Sequence, residues 1–423
     1  MSDKTSDKSE VFTRRSALAE GAKLASAAAM MPALSKAALA ADEKLRPGVT
    51  PFKVDVPQAK IDWVMRRLKE VEWPDAPQVE DPWAYGTSLP ALKDLVNYWT
   101  TKYNWRRREA EMNKFPQFKA KVDGYYIHFI HEKGSGPNPQ PLIITHGWPS
   151  NVVEFAKVIE PLAHPERFGG KVEDAFTVIV PSMPGFGFSS KPVKPISSAT
   201  VAVLWEKLMH DVLGYTNYIA QGGDVGYAVT REIGYVGTNC KAIHLNLLLP
   251  GGDIQGEEEK AAAAKWTRFN NLEGAYMAVQ RTKPLSLAYA MNDSPLGTAA
   301  WIFEKVHAWS GLKNGDPWSV YTRDEVLDNI MVFIVTNTFS TASWYYTGGR
   351  EEPRPAPRTE KITKPSGFAH FPDDVAFMPR SYAERYFNVV RYTEMATGGH
   401  FAAAEVPDLF IAEVRAFCRQ VNA

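Results

Sequence analysis

Residues 218–233 read YIAQGGDVGYAVTREI, and this stretch decides the fold. Its first three residues favour a strand and its last seven favour a helix, with glycines between them. A strand, a sharp glycine turn and a helix are typical of a nucleophile elbow, which exposes one side chain above a parallel sheet. Gly222 and Gly226 lie two positions before and after Asp224, so we predict Asp224 as that exposed side chain. The same pattern also suits an aspartate that caps a helix after a glycine turn.

Strands and helices alternate on both sides of this turn. We predict strands over residues 122–131 (a hairpin around Asp123-Gly124), 142–145, 176–180, 218–220, 368–371 and 389–392. We predict helices over residues 151–162, 201–213, 227–233 and 408–421. This alternation indicates an α/β fold with a mainly parallel sheet that has helices on both faces.

Two largely helical regions accompany this core. The leading region, residues 47–120, is interpreted as an N-terminal meander with a short strand and two helices, over 52–56, 57–71 and 89–103. A helical insertion inside an α/β fold is interpreted as a lid, here residues 251–350 with helices over 256–269, 299–309 and 323–344. The core is therefore predicted in two parts, residues 121–250 and residues 351–423.

Residues 1–40 predict an export signal and not a part of the fold. Arg14-Arg15 precede a weakly apolar, alanine-rich stretch, and Ala38-Leu39-Ala40 suits a cleavage site of the A-x-A kind. The paired arginines resemble a twin-arginine signal, although Leu18 stands near the place where such signals often have phenylalanine. We therefore predict a periplasmic or secreted protein, with an uncleaved amphipathic anchor as the alternative.

Charge and composition argue against several classes of function. Lysine and arginine number 48 and aspartate and glutamate also 48, so no basic field predicts nucleic-acid binding. The two cysteines, Cys240 and Cys418, are too few for a disulfide framework, and their spacing matches no metal site. We predict no metal, no cofactor, and no membrane association once the signal has been removed.

An aspartate in the elbow changes the chemistry that the turn supports. A carboxylate attacks an alkyl carbon and forms an alkyl ester with the protein, whereas serine would predict hydrolysis of esters or amides. Water must then hydrolyse that ester, so a base is needed. His400 follows Gly398-Gly399 on the loop before the last predicted helix, and a neutral imidazole accepts a proton near neutral pH.

Two backbone N–H groups are predicted to stabilise the oxyanion that forms when water attacks the ester. The loop His146-Gly147-Trp148-Pro149 follows the strand at 142–145. In this fold such a loop supplies one donor, and the residue after the nucleophile supplies the other. These donors are Trp148 and Val225, while His146 is interpreted as a residue that braces the loop.

Two further roles stay ambiguous from local reasoning. The acid that orients His400 is expected after the strand at 368–371, where Asp373 and Asp374 both fit. Opening of a ring ether would also need a proton donor for the leaving oxygen, and a tyrosine in a dry pocket suits that role. The lid region offers Tyr276, Tyr289, Tyr321, Tyr345 and Tyr346.

With these residues assembled, the chain resembles the microsomal and juvenile-hormone type of epoxide hydrolase, including its bacterial relatives. Matching segments occur in the right order over nearly everything after residue 50. They are PFKV at 51–54, WR at 105–106, FPQF at 115–118, HGWP at 146–149, GD at 223–224, NDSP at 292–295 and GGHFAA at 398–403. The resemblance implies an α/β-hydrolase fold with a helical lid and an N-terminal meander.

The resemblance also implies roles that local reasoning left open. The acid of this family lies two positions after a Phe-Pro pair, which implies Asp374. The family's lid tyrosines imply Tyr276 and Tyr346 as proton donors, with Tyr345 in reserve. The chain departs from the family at Val225, where tryptophan is common, so the pocket wall is expected to have one aromatic side chain fewer there.

The implied function is conversion of a small apolar epoxide and water to a vicinal diol. A haloalkane or haloacid dehalogenase would use the same aspartate, but it needs N–H donors for the halide that Val225 does not supply. A ligand-binding protein on a hydrolase scaffold is a third hypothesis. The presence of every predicted catalytic group argues against it.

Overall fold

The computed structural model describes residues 46–352, 358 and 360–422, and these contain a nine-stranded sheet. The strands are β1 (Val49–Phe52), β2 (Gln117–Val122), β3 (Tyr125–Glu132), β4 (Gln140–Thr145), β5 (Phe176–Pro181), β6 (Tyr218–Gly222), β7 (Cys240–Leu245), β8 (Ile362–His370) and β9 (Phe387–Glu394). The predicted export signal lies outside the described residues.

Helices connect and cover these strands. They are α1 (Gln58–Lys69), α2 (Leu89–Thr101), α3 (Trp105–Met112), α4 (Ile159–Ala163), α5 (Ser198–Lys207), α6 (Asp224–Val236), α7 (Gly256–Leu272), α8 (Ala275–Thr282), α9 (Pro284–Asp293), α10 (Pro295–Trp309), α11 (Arg323–Thr336), α12 (Phe339–Ser343), α13 (Arg380–Tyr386), α14 (Ala402–Glu405) and α15 (Pro407–Asn422). Short 3₁₀ turns include Val152–Phe155 and Trp344–Tyr346.

The strand order explains where functional loops can meet. It is β1-β2-β3-β5-β4-β6-β7-β8-β9, antiparallel from β1 to β5 and parallel from β5 to β9. The carboxyl ends of β4, β6, β8 and β9 therefore lie at one edge of the sheet. Helices α7 to α12 lie between β7 and β8 in the chain. The predicted α/β-hydrolase fold with a mainly parallel sheet is confirmed.

The parallel strands are buried on both faces, as their continuous apolar sequence predicts. Leu142 and Ile144 belong to one hydrophobic cluster and Ile143, between them, to another, and all three are fully buried. Successive side chains of a strand point to opposite faces. One cluster includes Phe410 of α15 and the other includes Trp205 of α5, so helices cover both sides.

Three predicted elements differ from those observed. The helix predicted over 151–162 is a 3₁₀ turn followed by α4, because Pro161 lacks the N–H of a continuous helix and is tolerated in a first turn. The helix predicted over 323–344 ends at Thr336, since Asn337 adopts a left-handed φ of 55°. The strand predicted over 52–56 lies earlier in the chain, as β1 (Val49–Phe52), and overlaps the prediction only at Phe52. It pairs with β2, so the leading region contributes to the sheet.

Several elements have no counterpart in the sequence prediction: β7, α3, α8, α9 and α13. Strand β7 contains Lys241 and His244, which interrupt the apolar run that predicts a central strand. It is a strand because β6 and β8 pair with it on both sides. Helices α8 and α9 are divided at Lys283-Pro284, and the proline stands in the first turn of α9.

Candidate active site

The elbow between β6 and α6 holds Asp224 in a strained backbone conformation. Its φ is 51°, in the left-handed region that side chains other than glycine rarely adopt. The two flanking positions must be glycine because a side chain would have no room there. An added Cβ at Gly222 would lie 2.2 Å from the carbonyl oxygen of Gly226, and one at Gly226 would lie 2.0 Å from that of Thr145. The cap position of α6 is Gly223, so Asp224 is not a capping residue.

The Asp224 carboxylate is held from two sides. Oδ1 accepts a hydrogen bond from the backbone N–H of Trp148 at 2.7 Å. Oδ2 lies 3.0 Å from Nε2 of His400. Gly147 permits this approach, because an added Cβ there would lie 2.2 Å from Oδ1. The two oxygens are therefore distinct: one faces a backbone donor and the other faces a titratable ring.

His400 joins Asp224 to the buried Asp374. Nδ1 of His400 lies 2.7 Å from Oδ1 of Asp374, which is 1% exposed. The backbone N–H of Val375 donates to the same oxygen at 2.6 Å. Asp373 is exposed and contributes its backbone N–H to the carbonyl of Gly398. The geometry thus selects Asp374 over Asp373 as the partner of His400.

Two carboxylates set the proton affinity of His400. Burial opposes the charged ring, but the charge of Asp374 and the hydrogen bonds to Asp224 and Asp374 raise the pKa of His400 well above its usual range. His400 therefore binds a proton more tightly than a free imidazole while Asp224 is unesterified. Esterification of Asp224 would remove one of these charges, which lowers the pKa of His400 and favours the neutral ring.

Tyr276 and Tyr346 lie together on the Trp148 side of the site. The Tyr276 ring stacks on the Trp148 ring with centroids 5.1 Å apart and an interplanar angle of 10°. The Tyr346 ring stands edge-on to both, at 5.8 Å from Trp148 and 5.7 Å from Tyr276. Burial, aided by the charge of Asp224, raises the pKa of both phenols, so both keep their protons near neutral pH.

The other lid tyrosines lie apart from this pair. Tyr345 is directed to Phe186, with ring centroids 5.4 Å apart, and its buried hydroxyl has no hydrogen-bond partner among the described residues. Tyr289 is 74% exposed. The Tyr321 hydroxyl lies 2.8 Å from Oγ of Ser310. The structure therefore brings together the two tyrosines that the family resemblance implied.

The two predicted oxyanion donors, the backbone N–H groups of Trp148 and Val225, differ in whether they already have an acceptor. The N–H of Trp148 already donates to Asp224. Val225 lies in the first turn of α6, and the described hydrogen bonds give its N–H no acceptor, as is usual at the start of a helix. His146 accepts from the N–H of Met183 at 3.2 Å, and burial lowers its pKa to about 4. It therefore braces the loop as a neutral ring.

Glu405 is a part of the site that the sequence prediction missed. Its carboxylate accepts backbone hydrogen bonds from Gly311 at 2.7 Å, Gly399 at 2.8 Å and Phe401 at 2.8 Å. It therefore fixes the His400 loop to the end of α10. Its place five residues after His400 is the only signal in the sequence, and that signal does not reveal a buried carboxylate.

Glu154 was also missed. Burial raises its pKa to about 7, and the charges of His400 and Asp224 act on it. Its carboxylate accepts a hydrogen bond from the hydroxyl of Ser150. With Phe401, which follows His400 in the chain, Glu154 lines a cavity of about 400 Å³. A titratable group therefore lies near His400 and Asp224.

Metal-binding clusters and membrane-spanning helices are both absent from the part of the chain that is described. No group of three or more His, Cys, Asp or Glu side chains there is arranged to hold a metal ion. No helix there is both long and apolar enough to cross a bilayer.

Comparison with known proteins agrees with this geometry. The family model described as epoxide hydrolase N terminus matches residues 49–155, and that for the alpha/beta hydrolase fold matches residues 140–228. A chain from Stigmatella aurantiaca, named as a candidate epoxide hydrolase, is 42% identical over 89% of this chain and 86% of its own length.

Two further relatives extend the match. Epoxide hydrolase 1 of Sus scrofa is 34% identical over 90% of each chain. The crystal structure of juvenile hormone epoxide hydrolase from Bombyx mori superposes with a TM-score of 0.79 at 25% identity, covering 88% of this chain and 95% of that one. The chain therefore belongs to the family that includes epoxide hydrolase 1 and the juvenile hormone epoxide hydrolases.

Proposed function

We propose that this protein converts an apolar epoxide and water to a vicinal diol through a covalent ester on Asp224. In the first step, Oδ2 of Asp224 attacks an epoxide carbon and the bond from that carbon to the ring oxygen breaks. Tyr276 and Tyr346 hydrogen-bond to the ring oxygen, and one of them gives it a proton. The product is a hydroxyalkyl ester and a phenolate.

In the second step, His400 takes a proton from water, which attacks the carboxyl carbon of Asp224. The carboxyl oxygen that faces Trp148 becomes the oxyanion, and the N–H groups of Trp148 and Val225 stabilise it. Glu154 lies near His400 and Asp224, and we propose that its carboxyl group holds this water. When the tetrahedral intermediate collapses, the ester C–O bond breaks, the departing diol oxygen takes the second proton of the water, and Asp224 returns to a carboxylate. The proton on His400 then restores the phenol.

The observation that carries the proposal is the position of Asp224 between two kinds of partner. One oxygen faces a fixed N–H donor and the other faces His400, 3.0 Å away. The paired phenols of Tyr276 and Tyr346 pack on the same Trp148 whose N–H binds Asp224. Ester hydrolysis or ligand binding alone would not require phenols beside an aspartate nucleophile.

The walls of the site favour an apolar substrate. Trp148, Trp309, Tyr276 and Tyr346 form an aromatic surround, with Trp309 also edge-on to His400 at 5.3 Å. Aromatic walls with few polar groups are typical of pockets for apolar ligands. Val225 gives this wall a smaller side chain than the tryptophan common in the family, and we propose that this alters the substrate preference.

Trapping the ester tests this function. Wild type and His400→Gln are each mixed with a panel of aryl and alkyl epoxides and followed by intact mass and by diol formation. The wild type should release diol, and His400→Gln should accumulate an adduct that maps to Asp224.

Asp224→Asn/His400→Gln is the matched control and should form no adduct. Absence of both diol and adduct across the panel would refute the proposal. Release of halide from haloalkanes would instead favour a dehalogenase.

We also propose that residues 1–40 direct export of the protein. The paired arginines and the small residues before Ala41 support this. Fractionation of the source cells and N-terminal sequencing should find a periplasmic or secreted chain that begins at Ala41. Arg14→Lys/Arg15→Lys should retain the protein in the cytoplasm. A cytoplasmic wild-type chain that still carries residue 1 would refute export.

A further inference from the structure

A buried lysine lies beside one of the two lid phenols. Lys305 is on α10, and its side chain is only 7% exposed. Its ammonium pairs with the carboxylate of Glu304, which is itself 15% exposed. Lysine is rarely buried unless it is paired, because removing its charge from water is costly. The protein therefore keeps a cation at a position where an apolar side chain would also pack.

This cation lies over the aromatic ring of Tyr276. Nζ of Lys305 is 5.0 Å from the centroid of the Tyr276 ring and 5.6 Å from that of Trp301. A cation in this position is attracted to the ring, and more strongly when the ring carries negative charge. Among the described residues no cation lies over the ring of Tyr346 in the same way. The two phenols therefore have different electrostatic surroundings.

We propose that Lys305 is a positioning residue for epoxide opening, which acts by stabilising the negative charge that Tyr276 gains when it gives its proton to the epoxide oxygen. The inference rests on the proposed function. It assigns the proton transfer to Tyr276 and leaves Tyr346 as a hydrogen-bond donor. Glu304 holds the ammonium in place, and because its own charge opposes phenolate formation, the cation over the ring is needed to offset it.

The charges balance in this step. Oδ2 of Asp224 forms a bond to the epoxide carbon, and the electron pair of the broken carbon–oxygen bond goes to the ring oxygen. That oxygen takes the proton from Oη of Tyr276. One negative charge leaves Asp224 and one appears on Tyr276, which moves it towards Lys305. Water later supplies the proton that restores the phenol, by way of His400.

Adduct formation in the His400→Gln background isolates this step. Lys305→Met and Lys305→Gln should slow the appearance of the adduct by tenfold or more, and Lys305→Arg should stay within threefold of the parent. Lys260→Met, which removes an exposed lysine on α7, is the matched control and should have no effect. Two charge-removing variants are used so that a folding defect in one, seen by thermal melting, does not decide the result.

A double-variant comparison separates this role from a structural one. In a Tyr276→Phe background, removal of the Lys305 charge should slow adduct formation no further, because no phenolate forms there. In the wild-type background, Lys305→Met should leave the breakdown rate of a preformed adduct unchanged.

Adduct formation at the parent rate in both charge-removing variants would overturn the inference, as would equal slowing with and without Tyr276. Absence of any adduct in His400→Gln itself would refute the proposed function instead.

Discussion

The loops at the sheet edge and the lid helices present their reactive groups in different ways. At the sheet edge, hydrogen bonds of 2.7 to 3.0 Å fix both carboxyl oxygens of Asp224, both ring nitrogens of His400 and one carboxyl oxygen of Asp374. In the lid, the rings of Tyr276 and Tyr346 are held by aromatic packing at 5.1 to 5.8 Å. Hydrogen bonds are directional, whereas ring packing allows small rotations. The proposed bond-making atoms are thus held tightly, and the proposed proton donors can adapt to the substrate.

The largest expected effect is at the sheet edge. Asp224→Asn removes the nucleophile while conserving its shape, so diol formation should fall on the order of 10⁴-fold or more. No adduct should form with any epoxide. Steady-state assay and intact mass measure this, with circular dichroism as the control for folding. Undiminished turnover would show that the covalent step does not occur at Asp224.

Removing a lid phenol should affect only the first step. Tyr276→Phe should slow adduct formation by roughly 10²-fold, the usual contribution of a general acid. Tyr346→Phe should also slow it by roughly 10²-fold, the usual contribution of one hydrogen-bond donor to a developing oxyanion. The breakdown of an adduct already formed should change little, because His400 and Trp148 are intact. Single-turnover mixing resolves the two rates. Slower adduct breakdown with unchanged adduct formation would show that the tyrosines act in ester hydrolysis and not in ring opening.

The two regions should also respond differently to pH. The pKa values of Tyr276 and Tyr346 are raised above the ordinary 10.0, so adduct formation should not fall as the pH rises to about 10. Adduct breakdown needs neutral His400, whose pKa falls once esterification removes the charge of Asp224. The breakdown rate should therefore rise with pH and reach a plateau. A fall in the first step near pH 8 would contradict this.

Glu405→Gln tests how strongly the His400 loop is held. An amide has a single acceptor oxygen for three backbone N–H groups, and its own N–H₂ would face donors, so we expect a loss of roughly 1–3 kcal/mol in the free energy of unfolding. The breakdown rate should fall about tenfold, since 1.4 kcal/mol corresponds to that factor. Denaturant unfolding and single-turnover kinetics measure the two effects. Unchanged stability would show that the conformation of the His400 loop does not depend on Glu405.

The smallest effect is expected at Tyr345, the neighbour of Tyr346. Its buried hydroxyl has no hydrogen-bond partner among the residues that the structure describes, so Tyr345→Phe should leave both rates within twofold. It should also preserve or slightly raise the thermal stability, because it removes an unsatisfied polar group. The contrast with Tyr346→Phe makes this pair a matched test. A large loss of activity in Tyr345→Phe would show that Tyr345, and not Tyr346, acts on the epoxide oxygen.

Much of the sheet edge could be predicted from short segments of sequence. The elbow, the loop after β4 and the loop with His400 are each local patterns in which glycines mark close backbone approach. Asp374 could be separated from Asp373 only by family resemblance, because both stand on the same turn. The fold itself decides between them, since one is 1% exposed and the other is exposed.

The lid was harder to predict for a physical reason. Helices α8 and α9 are short, and their packing faces depend on neighbours that are distant in the chain. Tyrosine is common in cores, so spacing alone does not distinguish Tyr276 from Tyr321. Glu154, Glu405 and Lys305 were not predicted at all, because a charged residue in a sequence is normally on the surface.

The sequence by itself determined the fold class, the elbow that holds the proposed nucleophile Asp224 and the order of the candidate reactive groups, since backbone strain and glycine spacing are local properties. Only the tertiary structure decided which carboxylate holds His400, which phenols face Asp224, and that the cation of Lys305 lies over one of them. These depend on burial and on distances between segments far apart in the chain, and both arise only when the sheet and the lid pack together.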